Sequence, residues 1–186
     1  MPTVILRPDS TTSKTGWASS NIHTIINDNN TGTSVDQNSV TCDFTGTLDD
    51  LDGSLSGATI NSFTISAIAK AGRTGATSAA MSLIHSTDGS FAVETENWGG
   101  STTTQTTTAR TTQQDGSSAL TFAYINNCSV KIDPGTAGMT LYELFVTVDY
   151  TAAASGYSHD IMGLAAANIG KVNTVATANV GKVSGT

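Results

Sequence analysis

The stretch Leu141-Tyr142-Glu143-Leu144-Phe145-Val146-Thr147-Val148-Asp149-Tyr150 alternates apolar and polar side chains almost without a break. Successive side chains of a strand point to opposite faces, so Tyr142, Leu144, Val146, Val148 and Tyr150 are expected to share one face. Glu143, Thr147 and Asp149 fall on the other, with Phe145 among them. A strand patterned in this way buries one side only, and the fold must supply a second layer to cover it.

Moving outward from this segment, the same period recurs at residues 61–70. There Phe63, Ile65, Ala67 and Ala69 alternate with Thr64, Ser66 and Lys70, and Ile68 interrupts the polar face. Val40, Cys42 and Phe44 make a third run, and shorter strand candidates lie at 4–6, 22–26, 81–85, 120–125 and 129–133. Between them stand turn clusters: Asn27-Asp28-Asn29-Asn30-Thr31-Gly32, Asp52-Gly53, Asp88-Gly89, Gly99-Gly100 and Asp133-Pro134-Gly135. No helical periodicity persists beyond about two turns in the first 150 residues. The expectation is an all-β fold, an antiparallel jelly-roll-like β-sandwich over residues 1–150. Residues 102–112 carry no apolar side chain larger than Ala109. It reads as an exposed strand or a long hairpin, and a strand polar on both faces specifies its register poorly unless a neighbouring subunit fixes it.

Composition agrees. Ser and Thr outnumber the charged residues by more than two to one, and β-branched Thr favours pleated surfaces. The net charge is -7, and the eight Lys and Arg are scattered; phosphate recognition needs them clustered, so no nucleic-acid partner is expected. Residues 1–150 hold 6 basic and 14 acidic groups, for -8, whereas 151–186 hold Lys171, Lys182 and Asp160, for +1. No apolar run reaches 18 residues and the first residues lack the pattern of a secretory signal, so no membrane partner is expected. Cys42 and Cys128 each sit where a small buried hydrophobe fits, and free thiols are expected.

The chemistry-bearing residues do not form a recognisable active site. His23, His85 and His159 have no ligand-like spacing, so no zinc site is expected. Asp49, Asp50 and Asp52 before Gly53 offer carboxylates on a turn but do not follow the spacing of an EF-hand loop. Glu94 and Glu96 share a strand face, the minimum for two-carboxylate chemistry. No Gly-x-Ser-x-Gly elbow is present. The expectation is a non-enzymatic protein without cofactor or metal. Trp17 and Trp98 are possible glycan contacts, since a flat aromatic face can stack on a sugar ring, and the Asn-rich turn at 27–30 would then be exposed with them. Core burial is the reading preferred for both indoles, since large aromatics contribute most to a core.

After Tyr150 the texture changes. Residues 151–160 read as a small-residue linker, and Ile161-Met162-Gly163-Leu164-Ala165-Ala166-Ala167 is continuously apolar. Ala-Asn-Ile-Gly-Lys-Val, from Ala167, then returns eleven residues later as Ala-Asn-Val-Gly-Lys-Val, from Ala178. Residues 161–186 are therefore expected to form an extended docking arm, with Ile161, Met162, Leu164, Ile169, Val172, Val175, Val180 and Val183 as anchors. Lys171 and Lys182 would face an acidic partner surface.

The opening Val4-Ile5-Leu6-Arg7-Pro8, Gly16-Trp17-Ala18, the final strand at 141–150 and the doubled C-terminal phrase together resemble small virion proteins of tailed bacteriophages. The tail is similar to a short repeated segment at the ends of structural proteins of marine and cyanobacterial phages. The resemblance implies a structural role, such as a capsid decoration or cement protein that binds the major capsid protein or another virion protein. It implies a homo-oligomer, a trimer being favoured, made in the host cytoplasm and located in the virion. The alternative it leaves open is a tail-fibre or receptor-binding module that recognises carbohydrate.

Overall fold

The computed structural model describes residues 1–39, 42–72, 76–135 and 138–153, and the backbone of 171–172 and 175–176. The chain divides into a unit Met1–Thr151 and a second unit Ala152–Thr186.

In the first unit the strands are β1 (Thr3–Leu6), β2 (Ser13–Thr15), β3 (Val35–Asp36), β4 (Asp43–Thr47), β5 (Thr59–Ala71), β6 (Thr77–His85), β7 (Gly89–Trp98), β8 (Thr103–Thr106), β9 (Cys128–Pro134) and β10 (Met139–Thr151). One sheet runs β1-β10-β5-β8, with β3 also on β10; the other runs β2-β4-β9-β6-β7. Every pairing is antiparallel. The chain changes sheet at each step except β6 to β7, so sheet neighbours are mostly distant in sequence. That winding makes the unit a jelly-roll-like β-sandwich. Ile65, Leu144, Val146 and Val148 of one sheet share one core with Phe44, Met81, Leu83, Val130 and Ile132 of the other. Phe63 of β5 meets Phe91 of β7 edge to face at 5.7 Å, and Phe91 meets Tyr124 at 5.6 Å, a geometry that adds to the burial itself.

Within β10 the alternation holds with one correction. Leu141 pairs with Ala69 and Glu143 with Ile68, so Tyr142 is an extra residue, a β-bulge. The bulge shifts the phase: Met139 and Leu141 point into the core before it, and Leu144, Val146 and Val148 after it. Tyr142, expected on the core face, is turned out of it. Glu143 is buried and accepts a hydrogen bond from Arg7 Nη1 at 2.9 Å. The same guanidinium lies 5.3 Å from the centre of the Phe145 ring and donates through Nη2 to Asn29 Oδ1 at 2.8 Å.

Two expected strands are helices. At 22–26 the chain forms α1 (His23–Ile26), because Ile22 and Ile26, four residues apart, both enter the core while Thr24 donates to the Asn21 carbonyl. At 120–125 it forms α2 (Phe122–Asn126), started by Thr121, whose hydroxyl accepts from the Tyr124 N–H at 3.1 Å. The third expected run is shorter than its pattern: β4 begins at Asp43, and Val40 lies outside the described residues.

The polar segment 102–112 takes a defined register from bonds within its own chain. Thr107 is buried; its hydroxyl accepts from Ile65 N–H and its N–H donates to the Ile65 carbonyl, at 3.0 and 2.9 Å. Arg110 and Phe63 exchange both backbone hydrogen bonds. Gln105 donates to the Asn97 carbonyl, and Glu94 accepts from Thr108 N–H. These bonds tie the β8 side of one sheet to the β7 edge of the other.

Cys42 and Cys128 are free and buried. Burial pushes both thiols up to about 12, with nearby carboxylates adding to the rise. Because the thiolate is the nucleophile, both should react with a disulfide reagent at pH 8 on the order of 1,000-fold more slowly in the native protein than in denaturant. Stopped-flow thiol titration reads this directly.

In the second unit, β11 (Lys171–Val172) and β12 (Val175–Ala176) pair antiparallel, with Lys171 opposite Ala176 and Val172 opposite Val175. Ile161, Met162, Leu164, Ile169, Val180, Lys182 and Val183 lie outside the described residues, as does His159.

Candidate functional site

Neither tryptophan is a platform for a sugar. Trp17 is 6% exposed and donates through Nε1 to the Asp43 carbonyl at 3.0 Å; Trp98 is 1% exposed and donates to the Thr103 carbonyl at 3.2 Å. Their rings are buried in the core and their N–H groups bond backbone, as the core reading expects, and the possible glycan contact at Trp17 and Trp98 is corrected. Trp98→Ala should cost about 3–5 kcal/mol of stability, the range for removing a buried large aromatic, measured as a shift of the urea midpoint. The Asn-rich turn is likewise used locally: Asn27 donates to the Pro8 carbonyl, and Asn30 Oδ1 accepts from Gly32 N–H.

The other candidates are distributed through the fold. Asp52 caps a short 3-10 turn, its Oδ1 accepting from Ser54 N–H at 2.7 Å, which lowers its pKa. Among the described residues no three His, Cys, Asp or Glu side chains gather to hold a metal ion. His23 bonds Thr11 at 2.9 Å, and His85 stacks on Tyr124 at 4.0 Å and meets Asp88 at 3.1 Å. Glu94 and Glu96 stand opposite Met81 and Ala79 on β7, with Glu94 committed to Thr108.

What the fold does bring together is a polar cleft of about 440 Å³ where β3, the end of β5 and the start of β10 meet. Asp36, Lys70, Thr140 and Tyr142 line it, with Ser34 and Gln37 beside them and Gly72 and Gly138 in its wall. Each position has a local cause. The short strand β3 pairs Asp36 with Thr140, and β5 pairs Lys70 with the same Thr140. Tyr142 reaches the cleft because the bulge turns it out. Gly72 donates its N–H to the Gly138 carbonyl, and a Cβ on Gly72 would sit 2.8 Å from that oxygen. Gly138, at φ 99°, adopts backbone that disfavours a side chain.

Inside the cleft the groups are paired in order. Thr140 donates to Asp36 Oδ1 at 2.7 Å. Gln37 is a structural wall: its backbone N–H donates to the Met139 carbonyl at 2.9 Å, its Oε1 accepts from Met139 N–H at 3.0 Å, and its Nε2 donates to the Ser39 carbonyl at 2.8 Å. Lys70 Nζ lies 5.6 Å from the centre of the Tyr142 ring. A hydrogen bond between the two raises the lysine pKa and lowers the tyrosine pKa, and Thr102 adds to the tyrosine shift. Nothing in the alternation marks this cleft, because Lys70 and Tyr142 read as ordinary strand residues until the bulge is placed. The nearest sequence signal is the pair of glycines.

No family model matches the chain, and no characterised protein matches it by sequence. Among solved structures, the C-terminal CBM6 of LamC, a marine laminarinase from Zobellia galactanivorans, aligns at a TM-score of 0.40 and 9% identity, over 79% of this chain and 98% of that one.

Proposed function

We propose that the protein is a non-enzymatic structural protein of a tailed-phage virion, a capsid decoration or cement protein. Its sandwich is the displayed body, and its C-terminal segment docks on the major capsid protein and on neighbouring copies. One observation carries the reading: the sandwich satisfies itself. Its large apolar side chains enter one core, and the large hydrophobics exposed among the described residues are Met1, Ile5 and Val93. The sequence of the second unit, by contrast, holds a continuous apolar run and a doubled Gly-Lys-Val phrase. Apolar residues of that number in a segment too short for a core of its own call for a partner surface.

The charge difference between residues 1–150 and 151–186 supports the same division of labour, since the body is acidic and the segment slightly basic. Purified particles should contain the protein in a stoichiometric ratio to the major shell subunit, measured by quantitative mass spectrometry, and immunogold should label the shell. Label confined to tail fibres, or the protein's absence from particles, would overturn the reading.

A further inference from the structure

We infer that the cleft between β3, β5 and β10 binds a neutral saccharide, with Asp36, Lys70 and Tyr142 as its contacts. The cleft volume of about 440 Å³ falls within the roughly 300–1,000 Å³ of ligand sites. Its chemistry narrows the ligand. Asp36, an acceptor, and Lys70, a donor, face one space, so the cleft favours neither a strong anion nor a strong cation. The hydroxyls of Ser34, Thr140 and Tyr142 line the same cleft; Thr140, whose proton goes to Asp36, offers an acceptor, and a hydroxyl such as those of Ser34 and Tyr142 can both donate and accept. A ligand whose own groups both donate and accept, spaced along a ring, fits that sequence, and a sugar diol is such a ligand. The half-buried Tyr142 ring adds an apolar face suited to the C–H side of a pyranose.

The site is also built rather than incidental. The bulge that delivers Tyr142 is one of two register shifts in the ladder of β10 on β5, the other falling at Asp149–Tyr150, and bulges of this kind re-aim side chains next to sites. Gly72 keeps the wall open, because any Cβ there would collide with backbone. Gln37 and Thr140 are fixed by hydrogen bonds before any ligand arrives, so little ordering remains to oppose binding. Asp36 has acceptor capacity beyond the one bond from Thr140, and Lys70 has donors beyond its bond to Tyr142.

The test uses the full-length protein and titrates it, by calorimetry and ligand-observed NMR, with maltohexaose, cellohexaose, mannohexaose, xylohexaose and galactan oligomers, with heparin as the anionic probe. The expected result is binding of at least one neutral oligomer with Kd below about 1 mM. Tyr142→Ala and Asp36→Asn should each weaken that binding about tenfold or more. Lys70→Met, which keeps the chain length but removes the donor, should do the same and guards against a folding defect in either of the others. No binding by any neutral oligomer, equal binding by wild type and all three variants, or binding of heparin alone would overturn the inference. Because the isolated protein is measured, the outcome is independent of where it sits in a particle.

Discussion

A chain that stops at Ala153 keeps the melting transition of the full-length protein and loses its attachment to particles. The expectation follows from where the fold is closed. Both sheets are complete by Thr151, and β10, the strand that holds β1, β3 and β5 together, ends there. Among the described residues, the core shared by the two sheets is built from side chains between Leu6 and Val148. What goes with them is the apolar run at 161–167 and both copies of the Gly-Lys-Val phrase. If several segments of one oligomer each dock weakly, linking them multiplies the affinity by about 10²–10⁴. Truncation then lowers particle binding by at least about 100-fold, a co-sedimentation difference of all against none. Retention of particle binding by the truncated chain would sink the docking role, whereas loss of its melting transition would mean that the two units are not independent.

The sandwich was legible because its strongest strands bury one face each. In β5 the residues Phe63, Ile65, Ala67 and Ala69 point inward as their spacing dictates, and in β10 Leu144, Val146 and Val148 do the same. Legibility failed where one residue changes the phase. Tyr142 is apolar and in step with Leu144, yet the bulge puts it on the opposite side, and no local residue type announces an extra residue in a ladder. It failed again at Ile22 and Ile26, whose spacing of four fits both a strand face and a helix face; tertiary packing decided for the helix. The polar segment 102–112 was unreadable for a different reason. Its register comes from the Thr107 hydroxyl and from bonds to Asn97 and Glu94, all contacts remote in sequence. The cleft inherits both problems, being made by a bulge and by a two-residue strand, β3.

The largest stability effect outside the hydrophobic core is expected at Arg7 and Glu143. The two side chains are 16% and 5% exposed and meet at 2.9 Å, so each compensates a charge that water reaches poorly. Arg7→Met leaves the Glu143 carboxylate buried without its partner, and the cost should be about 3 kcal/mol. Glu143→Leu should cost less, because Arg7 is the more exposed of the two and keeps Asn29 and the Phe145 ring. Replacing both should restore most of the loss, to within about 1 kcal/mol of wild type, since packed apolar residues commonly substitute for a buried pair. Urea unfolding at a constant m-value gives all four corners of the cycle. A coupling energy near zero would mean that the bond between Arg7 and Glu143 contributes nothing to holding β1 against β10. A double variant as weak as Arg7→Met would mean that the Asn29 turn, lost with the guanidinium, is what the arginine secures.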